Sequence, residues 1–213
     1  MNLSFPGVTS TFNAAAIILQ SDYPLATLSS AVVGGGLTDV RYIINRHVDK
    51  NYHHPEPVDD LRDFAAGQDI NEPFVGMMTA AYLDRARAVT LSRSGLTVSA
   101  VVTAGLSNPT AAGLSEPATL TPGTINLILL VDARLGAAAM VNAVITATEA
   151  KTDVLAKHGV YTPDGHLATG TSTDAIVLAC TGRGNLVSYA GPATEIGWLI
   201  GQSVRQSLAQ ALA

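Results

Sequence analysis

Two stretches of this chain concentrate the residue types that could make or break a polar bond. His166-Leu167-Ala168-Thr169-Gly170-Thr171-Ser172-Thr173-Asp174 gathers an imidazole, a carboxylate and four hydroxyls around one flexible glycine. Hydroxyls and backbone N–H groups in such a run can hold an oxyanion, while an imidazole activates water or protonates a leaving amine. A Ser/Thr-rich turn that caps its own backbone accounts for the same residues, and on this segment the two readings weigh alike. The second stretch is Thr146-Ala147-Thr148-Glu149-Ala150-Lys151-Thr152. On a helix Glu149 and Lys151 lie about 200 degrees apart, so they do not share a face and one of them points to solvent.

Other segments offer binding rather than chemistry. Gly34-Gly35-Gly36 lets a backbone approach a ligand closely, and it serves equally as a bulge or tight turn. It lacks the Lys and the spacing of a phosphate loop. Asn45 to His54 holds three of the five histidines. Adjacent His53 and His54 diverge in either a helix or a strand, so a solvated loop is favoured over a metal site and no metal is expected. Asn45 and Tyr52 remain hydrogen-bonding groups suited to an amide-rich ligand. In Gly76-Met77-Met78-Thr79 and Val102 to Asn108 the small residues and methionines read as close packing, whereas Asn108 either starts a turn before Pro109 or meets a ligand. Gly123-Thr124 could be a self-cleavage pair, though an intact chain is favoured. Asn126, inside the apolar run Ile125 to Val131, must be paired with neighbouring backbone or a ligand, because an unpaired buried carboxamide is costly.

The elements that must position these groups follow from periodicity. Phe12–Gln20 and Leu25–Val33 read as strands separated by a hairpin-like break at Ser21, Asp22 and Pro24. Asn45 to Pro57 reads as loop, and Asp59 to Gly67 as a helix. Ala88–Arg93 and Leu96–Thr103 form a hairpin about Ser94-Gly95. Ile125–Val131 and Ala175–Thr181 are strands. Gly136–His158 and Pro192–Leu212 are long helices, and Gly197 and Gly201 invite close approach on the second. The expectation is an α+β fold: a mixed, largely antiparallel β-sheet core with helices packed on it, the two long helices in the C-terminal third. With 213 residues and no linker, residues 1–213 read as one domain.

Composition narrows the function classes. Cys180 is the single cysteine, which excludes an intrachain disulfide. A net charge of −5 argues against a nucleic-acid partner. No apolar run reaches the roughly 20 residues of a membrane span, and no signal peptide is visible, so no membrane partner and a cytoplasmic location are expected. Assembly as a homo-oligomer is compatible with the pattern.

Taken in order, SSAVVGGG, Asn45-x-x-Val48-x-x-x-Tyr52, GMMTAA, VTAGLSNP, GTINLILL, TEAKT and ATGTSTDA resemble the adenosylcobinamide amidohydrolase family of corrinoid salvage. The resemblance spans residues 29 to about 180, and GTIN, TEAKT and ATGTSTDA weigh most. It implies hydrolysis of the amide joining aminopropanol to a propionate side chain of the adenosylated corrin ring. The products would be adenosylcobyric acid and 1-amino-2-propanol, with the corrinoid as substrate and no cofactor. Residue roles on these segments follow from the needs of amide hydrolysis: a water activated by His166 or Glu149, with Asp174 orienting the base. Backbone N–H groups from Gly170 to Ser172, or the Asn126 amide, would hold the oxyanion. Gly34, Gly35 and Gly36 would give the ring close backbone access, with Asn45 and Asn108 at its peripheral amides. Thr171 or Ser172 as a covalent nucleophile is the mechanistic alternative, and a non-catalytic corrinoid-binding protein the functional one.

Overall fold

A computed structural model describes residues 3–117 and 123–213. In chain order the strands are β1 (Val8–Phe12), β2 (Ala16–Ser29), β3 (Gly36–His47), β4 (Phe74–Thr79), β5 (Arg87–Arg93), β6 (Leu96–Ala104), β7 (Pro109–Thr110), β8 (Ile125–Val131), β9 (Arg134–Leu135), β10 (Gly170–Thr171), β11 (Ala175–Cys180) and β12 (Leu186–Val187). The α-helices are α1 (Pro57–Ala66), α2 (Ala137–Lys157) and α3 (Glu195–Leu212). Among the described residues the main sheet has eight strands in the order β4-β3-β2-β11-β8-β6-β5, with β1 added to β2. β3–β4 and β8–β11 are parallel and the other pairs in this sheet are antiparallel. The fold is α+β with a mixed, mostly antiparallel sheet, and the two long helices come late, as the periodicity indicates.

The 14-residue β2 bends this sheet back on itself. Its first half pairs with β1 and β3, its second half with β3 and β11, and its register to β3 shifts between Gln20 and Leu25. The Ser21–Pro24 stretch is therefore an irregularity inside one strand and not a hairpin break. Asp22 N donates to Gly7 O at 3.0 Å and the Tyr23 hydroxyl to Pro6 O at 2.6 Å, which holds the segment extended. Pro24 loses nothing there, because a bulge needs no ladder donor. The true hairpin turn lies earlier, where the Asn13 side chain accepts from Ala15 N and Ala16 N.

Three apolar layers result. Ile17, Leu19, Ile43, Val75 and Met77 of the folded-back strands pack on Val101, Ile128, Leu130 and Val177. On the opposite face of β6, β8 and β11, residues such as Leu127, Leu129 and Val131 meet α2 and α3. α1 covers the outer side of the folded-back strands through Leu61 and Ala65 against Ile44 and Phe74. All seven residues of β8 are buried, alternating between the first two layers, as expected of a central strand.

Asn126 of β8 points into the layer between the two sheet halves. Its Nδ2 donates to Asn45 Oδ1 at 2.8 Å and to Met78 O at 2.9 Å, and its Oδ1 accepts from the Thr124 hydroxyl at 2.9 Å. Asn45 Nδ2 donates in turn to Thr103 Oγ1 at 3.0 Å. Three strands separate β4 from β8 in the order, so these bonds exist only because the sheet folds over. Asn45 belongs to β3, as do Arg46 and His47. The stretch read as loop from Asn45 therefore begins three residues later, because strand pairing extends to His47↔Thr79.

α1 starts two residues earlier than its pattern indicates, at Pro57, and α2 turns Val141 and Ile145 of its apolar period to solvent while burying Ala143, Ala147 and Ala150. α3 starts at Glu195 rather than Pro192, because Thr194 is the cap: its Oγ1 accepts from Gly197 N at 3.0 Å. A Cβ on Gly197 would lie 1.9 Å from Gly191 O, so that glycine admits the preceding loop. Gly201 faces Thr146 of α2. Among the described residues no helix is long and apolar enough to cross a membrane.

The amide clamp makes a measurable prediction. Asn126→Ala strips partners from Asn45 Oδ1, Met78 O and the Thr124 hydroxyl, and should lower the unfolding free energy by about 3 kcal/mol. Adding Asn45→Ala should cost less than the sum of the single changes, since both act on one network. Chemical denaturation of the three variants checks this, and full additivity would remove the clamp.

Candidate active site

Gly170 to Asp174 comprises β10 and the turn into β11, and it is pinned from three directions. β10 pairs with β7 through Gly170↔Thr110 and Thr171↔Pro109. Asn108 Nδ2 donates to Ser172 Oγ at 2.5 Å, and Thr173 Oγ1 donates to Gly123 O at 2.9 Å. Thr124 Oγ1 lies 2.8 Å from Thr173 O, which ties the turn to the start of β8.

Asp174 is the centre of this arrangement. Its Oδ1 accepts from Ile125 N at 3.0 Å, from Thr171 N at 3.1 Å and from the Thr171 hydroxyl. Its Oδ2 pairs with Lys151 Nζ of α2 in a short ion pair, the side chains 18% and 11% exposed respectively. Oδ1 is thus fixed by three donors, while Oδ2 holds the lysine and keeps lone-pair capacity for one more partner. Gly170 makes the pair possible: a Cβ there would lie 2.3 Å from Asp174 Oδ2 and 2.7 Å from Lys151 Nζ.

Two cavities meet at Asp174. A cleft of about 460 Å³ has Thr124, Thr173 and Asp174 on one side and Tyr52, His54 and Thr79 on the other. A recess of about 210 Å³ lies between α2 and the starts of β8 and β11, with Lys151 and Asp174 in its wall. The cleft wall formed by Tyr52 is braced from behind. The Tyr52 hydroxyl donates to Asp60 Oδ2 at 2.8 Å, and Arg46 Nη1 lies 2.8 Å from Asp60 Oδ1. The Arg46 hydrogen bond, ahead of the one from Tyr52, holds the Asp60 carboxyl below its usual range despite partial burial. Burial first, and then the bond to Asp60, pushes Tyr52 up to about 12.

The structure brings together Asp174, Thr171, Ser172 and Asn108, and it separates the rest. His166 stands on the exposed Thr162–His166 turn, its N donating to Thr162 Oγ1 at 2.9 Å and its Nε2 3.8 Å from Asp164. Asp174 therefore orients Lys151 and not His166. The turn between Tyr161 and Leu167 closes on itself as an isolated bridge, which carries the imidazole outward. Glu149 is exposed on α2, so it is the solvent-facing member of the Glu149–Lys151 pair.

Gly34 and Gly35 end the β2–β3 connection and Gly36 opens β3. Gly34 has φ +69° and passes so near Phe74 O that a Cβ would stand 2.6 Å from it. Ser30 and Val32, not the glycines, line the cleft. Asn45 and Asn126 spend their amides on each other and on the strands around them, so they shape the site from behind.

The sequence shows Lys151 only as one of the Glu149–Lys151 pair and Thr124 only in a disfavoured self-cleavage pair, and gives neither a role in the site. Lys151 shares a helical stripe with buried Ala147, Val154 and Leu155, and is itself only 8% exposed. A lysine on an apolar stripe was the available signal.

The family model described as adenosylcobinamide amidohydrolase matches residues 5–213. The chain belongs to the adenosylcobinamide amidohydrolase family. A relative of that name from Methanosarcina mazei is 30% identical over 197 residues, covering 88% of this chain and 89% of its own. Another from Halobacterium salinarum is 34% identical over 122 residues, 54% of this chain and 50% of its own. The crystal structure of the PH0078 protein from Pyrococcus horikoshii shares the fold, with a TM-score of 0.51 over 98% of this chain and 80% of that one at 13% identity. In this member of the adenosylcobinamide amidohydrolase family, the quoted TEAKT and ATGTSTDA motifs supply Lys151, Gly170 and Asp174, the three residues that build the buried ion pair.

Two outcomes test this geometry. Gly170→Ala should force the ion pair apart and lower the thermal midpoint by about 5 °C, as a broken buried pair costs at least about 2 kcal/mol; an unchanged midpoint would mean the pair tolerates displacement. The Asp60 brace has a defined pH sense. A carboxyl whose folded value is lowered adds stability above its unfolded value, and that stability fades as pH falls below about 4. Protection factors in residues 49–56, which remove the intrinsic slowing of exchange in acid, should fall there, and Asp60→Asn should flatten that fall.

Proposed function

We propose that this chain hydrolyses the amide between aminopropanol and the corrin side chain of adenosylcobinamide, releasing adenosylcobyric acid and 1-amino-2-propanol. The family match across residues 5–213 carries the reading, and the Lys151–Asp174 pair at the junction of two cavities supplies its chemistry.

Amide hydrolysis needs a proton taken from water and a proton given to the departing nitrogen. A water in the cleft can occupy the remaining lone pair of Asp174 Oδ2. As it attacks the carbonyl carbon, its proton passes to Oδ2 and the C–N bond is prepared to break. Lys151 then protonates the nitrogen, the C–N bond breaks, and the acid proton of Asp174 returns to Lys151 along the bond that joins them. The pair ends as it began, and one water has been consumed. Thr171 lines neither cavity and is 8% exposed, which favours water over this hydroxyl as the attacking group. The exposed positions of His166 and Glu149 favour neither as the base.

The test is mass analysis of products from adenosylcobinamide. Lys151→Met and Asp174→Asn should each lower kcat by about 100-fold or more, while His166→Ala and Glu149→Ala stay near wild type. Retained turnover in both Lys151 and Asp174 variants would sink the mechanism. Tight binding of adenosylcobinamide with no amine released by the wild type would instead establish a non-catalytic corrinoid-binding protein.

A further inference from the structure

We infer that the recess of about 210 Å³ between α2 and the starts of β8 and β11 is the amine-side subsite, built for a short aliphatic amino alcohol. The inference rests on the proposed amide hydrolysis and adds to it which side of the scissile bond each cavity takes.

The two cavities differ in size and in what they offer. The cleft is more than twice as large and opens along Ser30, Val32 and the 52–54 loop, so it alone can admit a ring-sized acyl group. The recess is below the usual volume of a pocket for a drug-sized ligand. An amino alcohol of about five non-hydrogen atoms, at roughly 30 Å³ each, needs about 150 Å³ and fits it. Asp174 and Ala175 border both cavities, so an amide spanning the Asp174 carboxylate has its acyl side in one and its nitrogen side in the other.

The lining chemistry agrees with that polarity. Ile125, Leu127 and Ile176 give the recess an aliphatic wall, which suits methyl and methylene groups. Lys151 enters from α2, and its only hydrogen bond among the described residues is to Asp174. Its further N–H groups are therefore available on the recess side, where the departing nitrogen would sit. Thr148 stands one helical turn before Thr152 on the exposed rim. Its hydroxyl donates to Val144 O at 2.8 Å, which commits its proton and leaves lone pairs to accept from an alcohol. An aliphatic wall, one ammonium and one hydroxyl acceptor are what a hydroxylated, branched short amine requires.

The experiment uses the intact protein and three amides that differ only in the amine: 1-amino-2-propanol, propylamine and ammonia. Thr148→Trp fills the recess from its exposed rim, and Thr148→Val removes the hydroxyl while keeping the shape. Thr148→Trp should lower kcat/KM for the aminopropanol amide about tenfold or more, with much less loss on the unsubstituted amide. Thr148→Val should lose about fivefold on the aminopropanol amide, the size of one neutral hydrogen bond, and nothing on the propyl amide. Unchanged kcat/KM for both variants on all three amides, with the wild type active, overturns the subsite and leaves the hydrolase standing. A wild type that releases no amine overturns both.

Discussion

Two buried carboxamides decide how this sheet closes. Asn45 and Asn126 lie on strands that are not neighbours, and each is about 1% exposed. Removing such groups from water costs several kcal/mol unless every donor and acceptor is met. They can be met only if β3 and β4 fold over β8, because Asn126 reaches Asn45 and Met78 O at once. An apolar layer alone would accept many slips of one sheet half over the other. The amides accept few, since a slip of one residue would leave them unpaired in the core. The same closure brings Thr79 and the 52–54 loop opposite Thr124 and Asp174, so the cleft depends on it.

The Lys151–Asp174 pair works under a second constraint. Burying two charges is expensive, and the attraction between them offsets that cost only with good geometry and satisfied remaining positions. Here the backbone does most of the satisfying: Ile125 N and Thr171 N both donate to Asp174. Gly170 leaves space that any side chain would fill. The pair sits where the cleft and the recess share Asp174 in their walls. A low-charge chain thus places a buried charge pair beside two cavities, and builds its surroundings from hydroxyls and backbone.

Legibility differed between elements for identifiable reasons. α2 and the apolar run of β8, broken only by Asn126, were readable from local pattern, although α2 turns Val141 and Ile145 to solvent. The break at Ser21–Pro24 was not, since turn-type residues also build a bulge when outside groups such as Gly7 O and Pro6 O hold them. Among the site residues, Asp174 and its threonines were legible as a dense polar run. His166 looked equally suitable by type and proximity in sequence, yet a turn of five residues carries it to the surface.

The sequence by itself determined the fold class, the two long helices, the central strand and the family, because each rests on patterns within one segment or on the order of segments. Tertiary structure alone decided which polar groups meet. Lys151 reaches Asp174 across 23 positions and Asn45 reaches Asn126 across 81. Pairings at such separations are set by how the sheet bends and where the helix seats. No local preference of a residue encodes them, and so the same chain that announced its hydroxyls and carboxylate kept its lysine hidden in an apolar stripe.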